Sequence, residues 1–385
     1  MTGRKRVRLD TAERTERYVY RTRGGATLSV SNTALRLLEH REEGLDNALI
    51  AAEFTSAAGR TVTVVEVEAA FAVLNERIGK IEERAQQLPP GFLWRMRLLP
   101  EHVVAAIASR LRFMYAPWVA ALVVPLALAL IAAALVRDGI TIAVDRPTFW
   151  IGYVVFVASL LVHELGHATA AERFGARAND IGAALYLIYP ALYTDVTAAW
   201  ALPRARRVIV DLGGVYFQSC AAAACLVLAH FLRADALHVA ALMMLFACAI
   251  SLTPFFRSDG YWLVADALGV PQLERSAVDL LRALAGRPRR PGAASYARPV
   301  IAATTVYAAL TLILWTAAAW FLGRAVLAAF GTLPGVVARL AAGGFGLRHA
   351  ADPADVHTLV NALVVTLFVA GLLIRSRRRK PKDAP

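Results

Sequence analysis

The sequence predicts an α-helical integral membrane protein of about six transmembrane helices, preceded by a small N-terminal α+β domain on the cytosolic side. Three observations lead there. Of the 385 residues, 58% are hydrophobic. Uncharged runs near 116–136, 147–162, 212–232, 236–256, 299–323 and 356–374 are long enough, or nearly so, to cross a hydrocarbon core of about 30 Å. Lys and Arg outnumber Asp and Glu by 42 to 29, and the excess gathers at the ends of those runs.

The elements follow in order. Residues 1–88 read as a soluble unit. "YVYRTRGGATLSVS" (18–31) is two β-prone runs joined at Gly24-Gly25, a two-residue hairpin signal. Ser31 or Asn32 can cap a helix through "TALRLLEH", and Asp46 can cap "NALIAAEF". Thr63 and Glu66 form a capping box ahead of "VEVEAAFAVLNERIGKI", whose apolar positions recur at helical spacing. A hairpin with three helices points to a small winged-helix unit. Residues 89–112 read as a juxtamembrane segment, with Trp94 and Arg95 of "LPPGFLWRMRLLP" at the interface. Residues 113–270 hold four apolar runs and form the membrane core. A cytosolic linker spans 271–298, and 299–374 supplies two further crossings around an outer loop at 324–355. A basic tail closes the chain at 375–385.

Charge placement fixes the orientation and limits the function. Arg110 and Arg112, Arg173 and Arg177, the 204–207 and 287–290 clusters and the tail fall on one side, as cytosolic loops require. Six crossings then leave both termini in the cytosol. A nucleic-acid partner would need one contiguous basic face, and none is visible. The first 25 residues are charged and lack the apolar core of a cleavable signal. Cys220, Cys225 and Cys248 all fall within apolar runs, which argues against a disulfide framework and a thiolate metal site.

One stretch stands apart. "SLLVHELGHA" (159–168) puts His163, Glu164 and His167 into an apolar run, where ionisable groups are costly and rarely kept without a function. The spacing is H-E-x-x-H. On a helix the two imidazoles lie one turn apart on one face and can bind one zinc ion, with the glutamate as general base. A catalytic zinc needs a third protein ligand. Arg173 stands where the extended soluble-protease pattern requires histidine, and no glutamate occurs between Glu172 and Glu274. The candidates are Asp180, Asp195, Asp211 and Asp259. Depth favours Asp259. The second run enters from outside, so His163 lies about 24 Å down at 1.5 Å per residue. The fourth run ends on the same inner side at "TPFFRSDGYW", where Pro254 and Gly260 permit a turn beside Asp259. Asp195, in the short broken segment "YPALYTDVTAAW", is the runner-up. Asp211 follows an arginine cluster and is expected to pair with it.

"LVHELGHA" on a transmembrane run, followed by "SDGYW" near the end of a later one, resembles the site-2-protease family of intramembrane zinc metalloproteases across roughly residues 113–270. More narrowly, "YPALYTDVTAAW" and "TPFFRSDGYW" resemble its peptide zinc metalloprotease branch, associated with ribosomally made modified peptides. The resemblance implies His163, His167 and Asp259 as zinc ligands and Glu164 as catalytic base. It implies a multi-pass protein of a bacterial plasma or inner membrane, acting on a small precursor peptide during maturation or export. Two positions depart from the family pattern. Thr253 stands in place of asparagine, and Gln218 lies near the expected amide of the "GPxxN" element. If those amides orient a substrate strand, both changes bear on substrate choice rather than on zinc. The N-terminal unit resembles winged-helix leader-peptide-binding domains, which capture an extended peptide on a sheet edge; Ala26–Ser31 is the expected edge. Cleavage of a membrane-anchored regulator, or silent binding of a peptide as an immunity protein, are the competing expectations.

Overall fold

The computed structural model describes residues 7–13, 16–22, 27–86, 92–140, 144–186, 189–288 and 296–342. Near the N-terminus, β1 (Val7–Leu9), β2 (Arg17–Arg21) and β3 (Thr27–Ser31) form an antiparallel sheet in that order. Tyr18 lies opposite Val30 and Tyr20 opposite Leu28, so one face of the β2–β3 pair is apolar and packs on the helices. Helix α1 (Asn32–Glu42) starts at Ser31, whose Oγ accepts from Ala34 N at 3.2 Å. Helix α2 (Asn47–Ala58) has Asp46 at its N-cap position without a side-chain cap bond, and ends at Gly59 in the left-handed region. Helix α3 (Val64–Gln86) opens on the expected capping box: Glu66 N donates to Thr63 Oγ1 at 3.2 Å and Thr63 N to Glu66 Oε2 at 2.9 Å. That backbone bond, with Arg60 beside it, holds the Glu66 carboxyl below its ordinary value. Val30, Leu38, Ile50, Val67 and Phe71 form the core of this unit. Gly24-Gly25 lies outside the described residues.

Within the segment at 89–112, the described residues from Phe92 onward carry regular structure. Residues Phe92–Leu99 form strand β4, which pairs antiparallel with β5 (Ile181–Tyr186), and β5 pairs with β6 (Tyr189–Thr194). The alternation of Trp94, Met96 and Leu98 with Arg95 and Arg97 is a strand pattern whose partners lie some way along the chain. Helix α4 (Glu101–Leu111) follows and packs on the membrane core.

The apolar runs emerge as helices α5 (Pro117–Asp138), α6 (Arg146–Arg173), α8 (Gly213–Leu232) and α9 (Asp235–Ser251), with α7 (Arg204–Asp211) leading into α8. Asp145 caps α6 through a bond from Thr148 N at 3.2 Å, and Pro147 sits in its first turn, where a missing N–H costs nothing. After a turn at 252–258, α10 (Asp259–Leu268) begins, then α11 (Leu273–Leu284) and α12 (Arg298–Ala342). Four described helices are long and apolar enough to cross a membrane: α5, α6, the α7–α8 pair and the Arg298–Phe321 part of α12. Helix α9 is shorter, at 17 residues. The sixth expected run, 356–374, lies outside the described residues. Residues 324–342 continue α12 rather than opening an outer loop, since they are rich in Ala, Leu and Val and the helix carries through Pro334. Within the 271–298 stretch, Leu273 and Ala277 of α11 pack with Tyr307 and Ala308 of α12.

The N-terminal unit is strapped to the core by the residues after β1. Asp10 accepts from Arg204 N at 2.9 Å and from its Nε at 3.1 Å, while Arg207 donates to the Asp10 carbonyl at 2.9 Å. Ala12 N donates to Gly269 O at 2.8 Å, and Glu13 bridges to Tyr296. Arg207, 2% exposed, also pairs with Asp266 of α10 at 2.8 Å. The arginine cluster thus binds Asp10 and Asp266; the expected Asp211 pairing gives way to them.

Candidate metal centre

Helix α6 presents His163 and His167 one turn apart, with ring centroids 5.0 Å from each other. Helix α8 comes very close to it here. A Cβ on Gly166 would lie 2.2 Å from Gly213 O, so only glycine allows the two backbones to touch here. Tyr115, just before α5, clamps the contact by donating to Gly166 O at 2.9 Å and approaching Gly213 O at 3.3 Å.

Each imidazole is oriented from behind. His167 Nδ1 lies 2.7 Å from Val210 O, which can only accept, so that nitrogen carries the proton and Nε2 keeps its lone pair. His163 Nδ1 lies 3.0 Å from Gln218 Oε1. Gln218 in turn donates through Nε2 to Ser159 Oγ at 3.1 Å, and Ser159 donates to Phe156 O at 2.6 Å. This chain of bonds assigns the Gln218 oxygen to His163, again freeing Nε2. Gln218 is 1% exposed and spent on a histidine. Gln218 thus bears on His163. Thr253 also turns inward to its own helix end, donating to Ile250 O at 2.6 Å.

Both Nε2 atoms converge on Asp259, the first residue of α10. His163 Nε2 lies 3.0 Å and His167 Nε2 3.4 Å from Asp259 Oδ2, and the two nitrogens are 3.2 Å apart. Ser251, at the end of α9, donates to the same oxygen at 2.6 Å. Burial disfavours the Asp259 charge, but when the two imidazoles are protonated in the absence of metal, their charge and hydrogen bonds outweigh it and hold the carboxyl well below its ordinary value. Among the described residues, these three form the group of His, Cys, Asp or Glu side chains able to hold a metal ion.

The donor set fits zinc. A tetrahedral ion with bonds of 2.0–2.1 Å separates its ligand atoms by roughly 3.3 Å. The observed triangle of 3.0, 3.2 and 3.4 Å brackets that edge. Space is reserved as well. A Cβ on Gly214 would sit 2.3 Å from His163 Nε2 and 2.5 Å from His167 Nε2, so the glycine leaves open the ground between them.

Glu164 stands beside this cluster. Its Oε2 accepts from Thr194 Oγ1 at 2.7 Å, at the end of β6. Asp195, the runner-up ligand, is used elsewhere: its carboxylate accepts from Asn179 Nδ2 at 2.7 Å and Thr197 N at 3.0 Å, closing the β5–β6 ends. Asp180 and Asp211 also lie outside the cluster. Thr194, Ser251 and the Val210 carbonyl went unread in the sequence, because a lone hydroxyl or carbonyl carries no spacing signal. The Gly213-Gly214 pair was the one local hint of close backbone approach.

Helices of membrane-crossing length around a partly buried His-His-Asp cluster, with a glutamate at hand, define a membrane-type candidate metalloprotein. Over 131 residues the chain is 28% identical to a Bacillus subtilis (strain 168) protein named "Putative peptide zinc metalloprotease protein YydH". The match covers 33% of this chain and 51% of the relative, so the chain spans about half the length of the protein it resembles. No family model and no solved structure matches.

Proposed function

We propose that this chain is a zinc-dependent intramembrane endopeptidase of site-2-protease type that cleaves a small precursor peptide near the cytosolic face. The observation that carries the reading is the 3.0–3.4 Å triangle of His163, His167 and Asp259 beside Glu164. His163, His167 and Asp259 hold the metal. When bound, zinc supplies Lewis-acid polarisation of the scissile carbonyl and makes water more acidic. Glu164 takes the proton of the attacking water and passes it to the leaving amine. Among the described residues β6 is an edge strand, and its end lies next to Glu164. An extended substrate can pair there, which satisfies backbone groups that an unwound segment would otherwise leave bare at membrane depth. The two remaining crossings, the cytosolic termini and the bacterial membrane setting rest on the apolar runs, the charge distribution and the partial likeness to the Bacillus subtilis protein.

Recognition of the precursor is assigned to residues 1–88. Its supports are the open edge of β3 and the exposed apolar Val65 and Val73 on α3. The test is co-expression with candidate precursor peptides, comparing wild type with Glu164→Ala and reading peptide masses. A new product that requires Glu164 supports the reading. Zinc bound without any Glu164-dependent product favours a silent binding protein, and cleavage that survives Thr27→Pro and Ser29→Pro in β3 favours a membrane-anchored regulator as substrate.

A further inference from the structure

Glu164 is the least supported member of the site by sequence, since nothing near it in the chain orients its carboxylate. The fold supplies that support from 30 residues away. Thr194 Oγ1 lies 2.7 Å from Glu164 Oε2 and 3.1 Å from the Glu164 carbonyl. Thr194 is itself fixed, being opposite Ile181 in the β5–β6 ladder. Asp195 follows directly, pinned by Asn179 and Thr197. Ile181 is fully buried against α4 and α6. The hydroxyl therefore sits on a rigid strand end and not on a loose loop. Among the described residues, no protein hydrogen bond reaches Glu164 Oε1. One oxygen is held and the other is open.

We infer that Thr194 is a positioning residue for Glu164: its hydroxyl fixes the carboxylate through Oε2 and leaves Oε1 as the proton-accepting atom. The inference rests on Glu164 being the general base. Its physical basis is that a base must meet the proton it abstracts at hydrogen-bond distance, and a misplacement of about 1 Å costs on the order of 100-fold. Because Thr194 also terminates the sheet edge, the strand that would align a substrate and the hydroxyl that aligns the base are one piece of backbone. Substrate register and base orientation are then set by the same element.

The experiment uses the full chain in detergent with two readouts. In the first, fluorescein-labelled β-casein is the probe. Thr194→Val should lower kcat about 100-fold with KM and zinc content unchanged, and Thr194→Ser, which restores the hydroxyl, should return kcat to within about threefold of wild type. In the second, zinc is stripped and melting temperatures are measured for Thr194→Val, Glu164→Ala and the double variant. Coupled side chains give a double variant that melts higher than the sum of the two single shifts predicts. Full kcat in Thr194→Val, a Thr194→Ser variant as impaired as Thr194→Val, or additive melting shifts would each overturn the inference. If instead Glu164→Gln keeps full turnover, the base assignment itself fails, while the melting cycle still reports whether the contact exists.

Discussion

Replacing Gln218 with methionine isolates the orientation of His163 from the metal ligands themselves. Methionine has nearly the same length and volume, so packing around a residue that is 1% exposed changes little. Three polar contacts go: His163 Nδ1 at 3.0 Å, Ser159 Oγ at 3.1 Å and Cys248 Sγ at 3.4 Å. Without metal, the His163 ring can move its proton to Nε2 and donate to Asp259 Oδ2, so the apo protein escapes most of the loss. With metal, Nε2 is committed and Nδ1–H is left buried without an acceptor, a penalty of about 1–3 kcal/mol. The cost thus falls on the metal-bound state. At about 1.4 kcal/mol per tenfold, zinc should bind roughly 10- to 100-fold more weakly, the usual range for groups that orient a metal-binding histidine. Chelator competition on purified wild type and Gln218→Met measures this directly, with apo melting temperatures as the folding control. An affinity within twofold of wild type would refute the argument that Gln218 serves His163.

Further outcomes follow from the same geometry. Glu164→Gln should keep about one zinc per chain by metal analysis yet lose at least 100-fold in turnover, because the ligand set is intact and the base is gone. Asp259→Ala should lose zinc, and undiminished metal in that variant would move the third ligand elsewhere. Gly214→Ala should abolish zinc binding, since the new methyl would fall 2.3–2.5 Å from both ligating nitrogens; a variant that folds and binds zinc normally counts against the site. Asp195 gives a pH test. Burial opposes its charge, but bonds from Thr197 and Asn179 prevail and lower its folded pKa below the ordinary 3.8. Its contribution is therefore complete above that value and is lost as pH falls through the folded value. The melting difference between wild type and Asp195→Asn should be constant from pH 8 to 5 and shrink toward pH 3.

What could be read from the chain divides along physical lines. Local signals survived translation into structure: the Thr63–Glu66 box, the Ser31 cap and the apolar helices near 117–138 and 146–173 are all where short-range chemistry places them. The His163–His167 spacing works the same way, because four residues on a helix fix two side chains on one face. Bringing Asp259 to them required an argument about depth, and its Oδ2 lies 3.0 and 3.4 Å from the two Nε2 atoms. Non-local pairing was opaque. Strand β4 looks like an interfacial segment until β5 arrives to pair with it, and Arg207 finds Asp266 rather than the nearer Asp211. The partner of Gln218 was hidden for the same reason, since it lies 55 residues back.

The strap formed by residues 9–13 has a consequence in time. Its partners at Arg204, Gly269 and Tyr296 are made long after it. At translation rates of about 5–20 residues per second, Asp10 waits roughly 10–50 s for Gly269 to be synthesised. Meanwhile residues 27–86 already possess a core of their own. Residues 10–13, just after β1, are thus among the last pieces to be locked down, at about the moment when α10 delivers Asp259 to the histidines. Completion of the His163–His167–Asp259 cluster and closure of the clasp become one late event. Ribosome-stalled chains ending before residue 259 should leave the peptide around Asp10 open to protease, and chains extending past residue 300 should protect it.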